Sequence, residues 1–217
     1  MTEGRRSVRV VTMSTLSLQE QFGPIDIYLF DQLLRGRIQP GIRVLDAGCG
    51  RGRNVVYLLR IGCDVHAVDH DPAAVAAVRV LAASLAPQLP ESNFLVEAVE
   101  EMSVPDASMD VVVSSAVLHF ARDDRHFDAM VHRMWRALAP GGLLFCRLAA
   151  STGIEGRVTA LGHGRFLLPD GSERYLVSEP RLVALTRDLG AQLVDPIKST
   201  IVQDMRCMAT WVVRAPR

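Results

Sequence analysis

Apolar and polar positions alternate along this chain in two rhythms. Short, nearly continuous apolar runs of strand length occupy residues 43–47, 64–69, 93–97, 109–114 and 143–148. Such runs are expected of strands buried on both faces of a parallel sheet. Between them the spacing is helical. Residues 25–34 read as an amphipathic helix, and residues 53–61 read as another that stops at Gly62. Asp71 and Pro72 supply an N-cap and a first-turn proline for an alanine-rich helix reaching Ala86. Phe127, Met130, Val131, Met134, Trp135 and Leu138 fall on one helical face, a core stripe that Pro140-Gly141-Gly142 ends.

After Leu148 the rhythm changes. Residues 150–177 are rich in glycine and charge and form an insertion, with a hairpin centred on Asp170-Gly171. It falls on the side of the sheet where ligands bind and is expected to act as a lid over the substrate. Residues 182–189 read as a helix, and residues 192–201 and 206–214 as two antiparallel strands. Strand and helix in alternation give an α/β class: a doubly wound, mostly parallel seven-stranded sheet with an antiparallel C-terminal hairpin and helices on both faces. A single domain is expected over residues 1–217, with residues 1–17, which lack a clear period, as a mobile leader.

Composition narrows the class little. Apolar residues make up 49% and the formal net charge is zero, so neither nucleic acid nor an anionic membrane is favoured as a partner. Cys49, Cys63, Cys146 and Cys207 are too far apart for a metal-ligand spacing, and a reducing cytoplasmic setting is expected. No apolar run is long enough to span a bilayer.

The chemistry is concentrated in VLDAGCGRGRN, residues 44–54, with Gly48, Gly50 and Gly52 following a strand. A dinucleotide fingerprint would need a glycine where Arg53 stands, and a phosphate loop would need a lysine. Asp46, two places before the first glycine, repels phosphate and suits a cationic group. Asp69 ends the next strand, where a carboxylate can accept hydrogen bonds from both hydroxyls of a ribose. A ligand with an ammonium at one end, a ribose in the middle and no phosphate is S-adenosylmethionine.

At these residues the sequence resembles the class I S-adenosylmethionine-dependent methyltransferases. SVPDASMDVVVSSAVLHF and ALAPGGLLFCRL are similar to that family's segments around its fourth strand and before its fifth. The Gly-Arg-Asn continuation and the ending CMATWVVR resemble bacterial small-molecule methyltransferases of the tellurite-resistance and ubiquinone-biosynthesis types. The resemblance implies a Rossmann-like fold and methyl transfer to a small-molecule acceptor, leaving S-adenosylhomocysteine. It implies a cofactor site made of Asp46, Gly48, Cys49, Gly50, Arg53, Asn54, Asp69, His70, Val99, Glu100, Ser114 and Ser115, with no metal. The protein is then a monomer or homodimer.

Two positions remain open at this level. The family's aspartate for the adenine amino group corresponds here to Ala98, so Glu97 or Glu100 would have to replace it. His119 follows the fourth strand and can orient the acceptor or take its proton, or it can be a structural residue bonded to a loop carbonyl. The acceptor pocket is expected from residues 25–30, 118–122 and 147–175. Other readings are a carbon or oxygen methyltransferase on a quinone-like or aromatic ring, a non-catalytic cofactor-binding module, and an NAD-dependent oxidoreductase that Arg53 disfavours.

Overall fold

A computed structural model describes residues 16–217, so the expected leader lies almost wholly outside the described residues. In chain order the elements are α1 (Leu18–Phe22), α2 (Ile27–Leu34), β1 (Arg43–Ala47), α3 (Val56–Arg60), β2 (Asp64–Asp69), α4 (Pro72–Leu85), β3 (Phe94–Val96), β4 (Met109–Ser115), α5 (Asp124–Ala137) and β5 (Leu138–Ala150). They continue with β6 (Thr159–Gly162), β7 (Arg165–Leu167), β8 (Glu173–Tyr175), α6 (Glu179–Asp188), β9 (Gln192–Leu193), β10 (Lys198–Val202) and β11 (Arg206–Arg214).

The main sheet runs β10-β11-β5-β4-β1-β2-β3, with β9 also paired to β11. Pairs among β1 to β5 are parallel, and β11 runs antiparallel to β5, β9 and β10. It has eight strands instead of seven because residues 192–201 do not form one continuous strand. Pro196 has no N–H to give the ladder. The neighbouring Asp195 is gripped by Arg37 at 2.6 and 3.0 Å and by Gln32 at 3.3 Å. The chain therefore leaves β11 after Val194, whose amide still donates to the Val212 carbonyl, and rejoins it at Lys198.

Strand side chains alternate between two cores. Leu45, Val112, Leu144 and Cys146 pack with Phe127, Val131 and Met134 of α5 and Leu182 of α6. Val44, Val65, Val111 and Phe145 pack with Leu29 of α2, Leu58 of α3 and Val75 and Val78 of α4. Fully buried apolar side chains of this size contribute roughly 1.5–3 kcal/mol each. Every strand from β1 to β5 is thus covered on both faces, which is why its sequence is apolar almost throughout. Helix starts follow local rules: the Asp71 carboxylate accepts from the Ala73 amide at 2.9 Å, and that of Asp123 from the His126 amide at 2.7 Å.

The excursion after β5 is a separate three-stranded sheet, β6-β7-β8. The expected hairpin is present, with Arg165–Leu167 pairing antiparallel to Glu173–Tyr175. It is fastened to α5: Tyr175 stacks on Phe127 at 4.7 Å and its hydroxyl donates to Asp124 at 2.8 Å.

Candidate cofactor and acceptor site

The glycine turn follows β1 and is joined to the end of β2. Amides of Gly48 and Cys49 both donate to the Val68 carbonyl, at 2.8 and 3.0 Å. Each glycine does something different. A β-carbon on Gly48 would lie 2.4 Å from a Val117 methyl, and one on Gly52 would lie 2.8 Å from Leu81. Gly52 therefore supplies the close helix packing that a dinucleotide fingerprint assigns to the position Arg53 occupies. A β-carbon on Gly50 would meet nothing within 4 Å, because it would point into open space. All three have positive φ, the region glycine tolerates best.

That space is a cavity of about 890 Å³ at the carboxyl ends of β1, β2 and β4, lined among others by Gly48, Gly50, Arg53, Asp69, Val99 and Ser115. Cys49, Asn54, His70 and Glu100 also line it. Asp69 faces it with its carboxylate fixed: Oδ2 accepts from the Gly50 amide at 2.9 Å and Oδ1 from the Asp71 amide at 3.0 Å. Two oxygens offer about four acceptor positions, so capacity for two hydroxyls remains.

Asp46 lies at the end of β1, 1% exposed, and neither of its oxygens has a hydrogen-bond partner among the described residues. Burial raises its carboxyl from 3.8 to about 7, against the pull of Arg53 and with a further push from Asp69. It does not cap the following helix. A buried carboxylate without partners is costly unless a cation reaches it, and an ammonium group meets that need. Cys49 is buried, and that burial beside Asp46 and Asp69 pushes its thiol far up, so it is a small filler and no nucleophile.

The two candidates for the adenine amino group separate clearly. Glu97 is committed to Ser103, accepting from its amide at 2.6 Å and its hydroxyl at 2.8 Å. Glu100 lines the cavity, and its Oε1 lies 2.7 Å from Nε2 of His126. The Arg122 amide donates to Nδ1 of the same ring at 3.0 Å. This network assigns the ring proton to Nε2, which donates to Glu100. Burial raises the Glu100 carboxyl, but a backbone hydrogen bond and His126 outweigh it and hold it below the ordinary range. His126 was not among the residues singled out in the sequence. Its only signal there was its place in the first turn of α5, which faces the loop after β3.

Of the residues expected to surround the acceptor, Phe120 and Arg122 line the cavity. The structure does not bring His119 there. It is buried in the short turn after β4, its Nδ1 lacks a partner among the described residues, and burial with Arg174 nearby lowers its imidazole to about 4. Nor does it bond a loop carbonyl through that nitrogen. Ser114 is likewise fully buried, whereas Ser115 reaches the cavity and accepts from Arg53 Nη2 at 2.8 Å. Residues 150–177 contribute nothing to the lining; Arg174 touches it indirectly, 5.0 Å over the Phe120 ring.

A parallel α/β sheet with a glycine turn, a partnerless acid beneath it and a fixed acid on the neighbouring strand defines a protein that binds S-adenosylmethionine. The comparisons with known proteins agree. Residues 44–142 match the family model described as Methyltransferase domain. The ubiquinone biosynthesis O-methyltransferase of Xanthomonas axonopodis pv. citri is 29% identical over 76% of this chain and 69% of its own length. The aligned part makes up 64% of the counterpart from Xanthomonas euvesicatoria. Among solved structures, a SAM-dependent methyltransferase from Methanosarcina mazei superposes with a TM-score of 0.68 at 20% identity, covering 85% of this chain and 97% of that one. The 1,6-didemethyltoxoflavin-N1-methyltransferase of Burkholderia thailandensis, with S-adenosylhomocysteine bound, gives 0.67 at 20% identity, covering 90% of this chain and 80% of that one. The domain match over residues 44–142 and these relatives together support a class I S-adenosylmethionine-dependent methyltransferase.

Proposed function

We propose that this protein transfers a methyl group from S-adenosylmethionine to a small-molecule acceptor, and that the residues lining the 890 Å³ cavity, together with Asp46, which is buried behind the lining, divide the cofactor among them. Asp46 holds the ammonium and Arg53, beside Asn54, the carboxylate of the methionine portion. The backbone of Gly48, Cys49 and Gly50 forms the floor, and Asp69, with His70 flanking it, takes the ribose. The Val99 amide and the Glu100 carboxylate receive the adenine. When bound, the cofactor supplies a methyl group already activated by its sulfonium. The protein's own part is alignment and exclusion of water, which can lower a barrier by as much as ~7–11 kcal/mol when the geometry is good.

One observation carries this reading: the buried, partnerless carboxylate of Asp46 under the glycine turn. No hydrogen bond among the described residues stabilises it and only the pull of Arg53 opposes its burial, so a cationic ligand accounts for its place. Titration calorimetry with S-adenosylhomocysteine and, separately, NAD tests the assignment. Binding of the first and not the second is expected; NAD binding with no S-adenosylhomocysteine binding would refute it.

The excursion of residues 150–177 lies outside the cavity lining and approaches it only where Arg174 stands over the Phe120 ring, and its proposed role as a lid rests on that approach. A cytoplasmic setting is supported by four free, buried cysteines and by the lack of any helix among the described residues long and apolar enough to cross a membrane. Sedimentation analysis distinguishes monomer from homodimer.

A further inference from the structure

The aspartate that class I methyltransferases set against the adenine amino group corresponds here to Ala98, and Glu97 is committed to Ser103. Glu100 is the acid left on that wall of the cavity. A glutamate has one more rotatable bond than an aspartate, so it serves as a fixed acceptor only if something holds it. His126 is placed to do so. Its Nε2 lies 2.7 Å from Glu100 Oε1, and its Nδ1 accepts from the Arg122 amide at 3.0 Å.

The backbone decides what this ring offers. An amide N–H only donates, so Nδ1 is the accepting nitrogen and the proton sits on Nε2, facing Glu100. A carboxylate that receives such a bond is favoured in its ionised form, in which it accepts and cannot donate. Both neighbouring side chains approach Oε1, His126 at 2.7 Å and the Arg122 guanidinium at 3.7 Å, which leaves Oε2 for a ligand. Arg122 is 71% exposed, whereas Glu100 and His126 are mostly covered. Without the imidazole, Glu100 would be drawn towards that exposed cation at the rim.

The ring is itself held. His126 stands in the first turn of α5, and its amide donates to the N-cap Asp123 at 2.7 Å. Two turns on, Arg133 reaches the same stretch of chain after β3. Its Nε donates to the Met102 carbonyl at 2.8 Å, its Nη1 to Asp106 at 3.2 Å and its Nη2 to the Val104 carbonyl. Helix α5 thus grips this loop twice: Arg133 fastens its backbone, and His126 aims one carboxylate. The Arg133 bonds do not pass through His126, so the loop keeps its anchor when the imidazole is replaced.

We propose that His126 is a positioning residue that sets the cofactor's nucleobase: by holding Glu100 as a fixed, acceptor-only carboxylate, it selects a purine with a 6-amino group against its 6-oxo counterpart. This rests on the cofactor reading above. The amino group donates to Oε2. A 6-oxo oxygen in the same place sets two acceptors against each other, with no proton between them. The Val99 amide adds a share that does not depend on His126, since it suits the bare N1 of adenine and opposes the N1–H of hypoxanthine.

Calorimetry on the full chain with S-adenosylhomocysteine and S-inosylhomocysteine, its 6-oxo counterpart, tests this. The parent should prefer the adenosine form by about thirtyfold or more. His126→Asn keeps an oxygen for the Arg122 amide and loses the donor to Glu100, so the preference should fall about tenfold. His126→Gln restores an N–H at the reach of Nε2 and should hold the preference within about threefold of the parent. A role confined to folding would lower the melting temperature of both variants and move neither ratio, because both ligands are read on the same protein. An unchanged preference in His126→Asn, or a loss in His126→Gln as large as that in His126→Asn, would overturn the proposal. Should His126→Asn not fold, nitrogen NMR of the parent's imidazole decides: a proton on Nε2 with Nδ1 bare is expected, and a proton on Nδ1 would overturn it. Absence of any preference in the parent would overturn both this proposal and the adenine role of Glu100. Failure to bind S-adenosylhomocysteine would overturn the cofactor assignment beneath them.

Discussion

Replacing Asp46 by asparagine separates what this residue does for the fold from what it does for the ligand. Burial raises its carboxyl from 3.8 to about 7. Such a difference corresponds to about 4 kcal/mol against the ionised form, an upper value because the protein relaxes around a buried charge. The sign follows from proton counting. Between these two values the folded protein binds more protons than the unfolded chain, so stability is highest below about 4 and falls as pH rises towards 7. An asparagine carries no charge at any pH. The ligand-free Asp46→Asn variant should therefore match the parent near pH 3 and exceed it at pH 8, by about 1–4 kcal/mol. Urea unfolding at the two pH values measures this.

The same variant should lose S-adenosylhomocysteine affinity by tenfold or more, since a neutral amide replaces the charge facing the ammonium. The parent should also release close to one proton on binding at pH 6, because the ligand's cation favours the ionised carboxyl. Calorimetry in buffers of different ionisation enthalpy counts that proton. A stability difference that does not change with pH, or full affinity in the variant, would refute the account of Asp46.

Asp69→Ala should weaken S-adenosylhomocysteine binding by roughly 1.5–3 kcal/mol, the range for hydrogen bonds to a charged group, and Asp69→Asn by less; unchanged affinity in calorimetry would end the ribose assignment. Gly50→Val should stay folded and lose binding, because its side chain enters open cavity, whereas Gly48→Ala should lower the melting temperature by collision with Val117; the reverse pattern in thermal melts and titrations would mean that the turn is not the floor of the site. Glu100→Gln should bind the adenosine form of the product less tightly and the inosine form more tightly, so an unaltered ratio of the two affinities would argue against Glu100 as the amino-group acceptor. Hydrogen exchange over residues 150–177 should slow when a methyl acceptor joins S-adenosylhomocysteine on the protein, and no change in protection would leave that sheet without a covering role.

Why some of this could be read from the sequence and some could not is a matter of range. The strands β1, β2 and β4 are buried on both faces, so composition alone marked them, and their ends fell within a residue of expectation. Cap chemistry is equally local, and the Asp71-Pro72 start of α4 was legible for that reason. The break at Asp195 was not. It depends on Arg37, 158 residues away in the chain, and on Gln32, and no pattern near Pro196 announces either partner.

The site divides along the same line. Gly48, Gly50, Asp46 and Asp69 act through backbone conformation and strand ends, properties that short sequence motifs encode directly. Choosing Glu100 over Glu97 required knowing that Ser103 occupies the latter and that His126 reaches back to the former, both facts of packing. His119 shows the opposite case. Its position after a strand at the ligand-binding edge makes it a natural candidate for a base, yet the turn it occupies buries it behind Phe120, outside the cavity lining, and burial favours its neutral form.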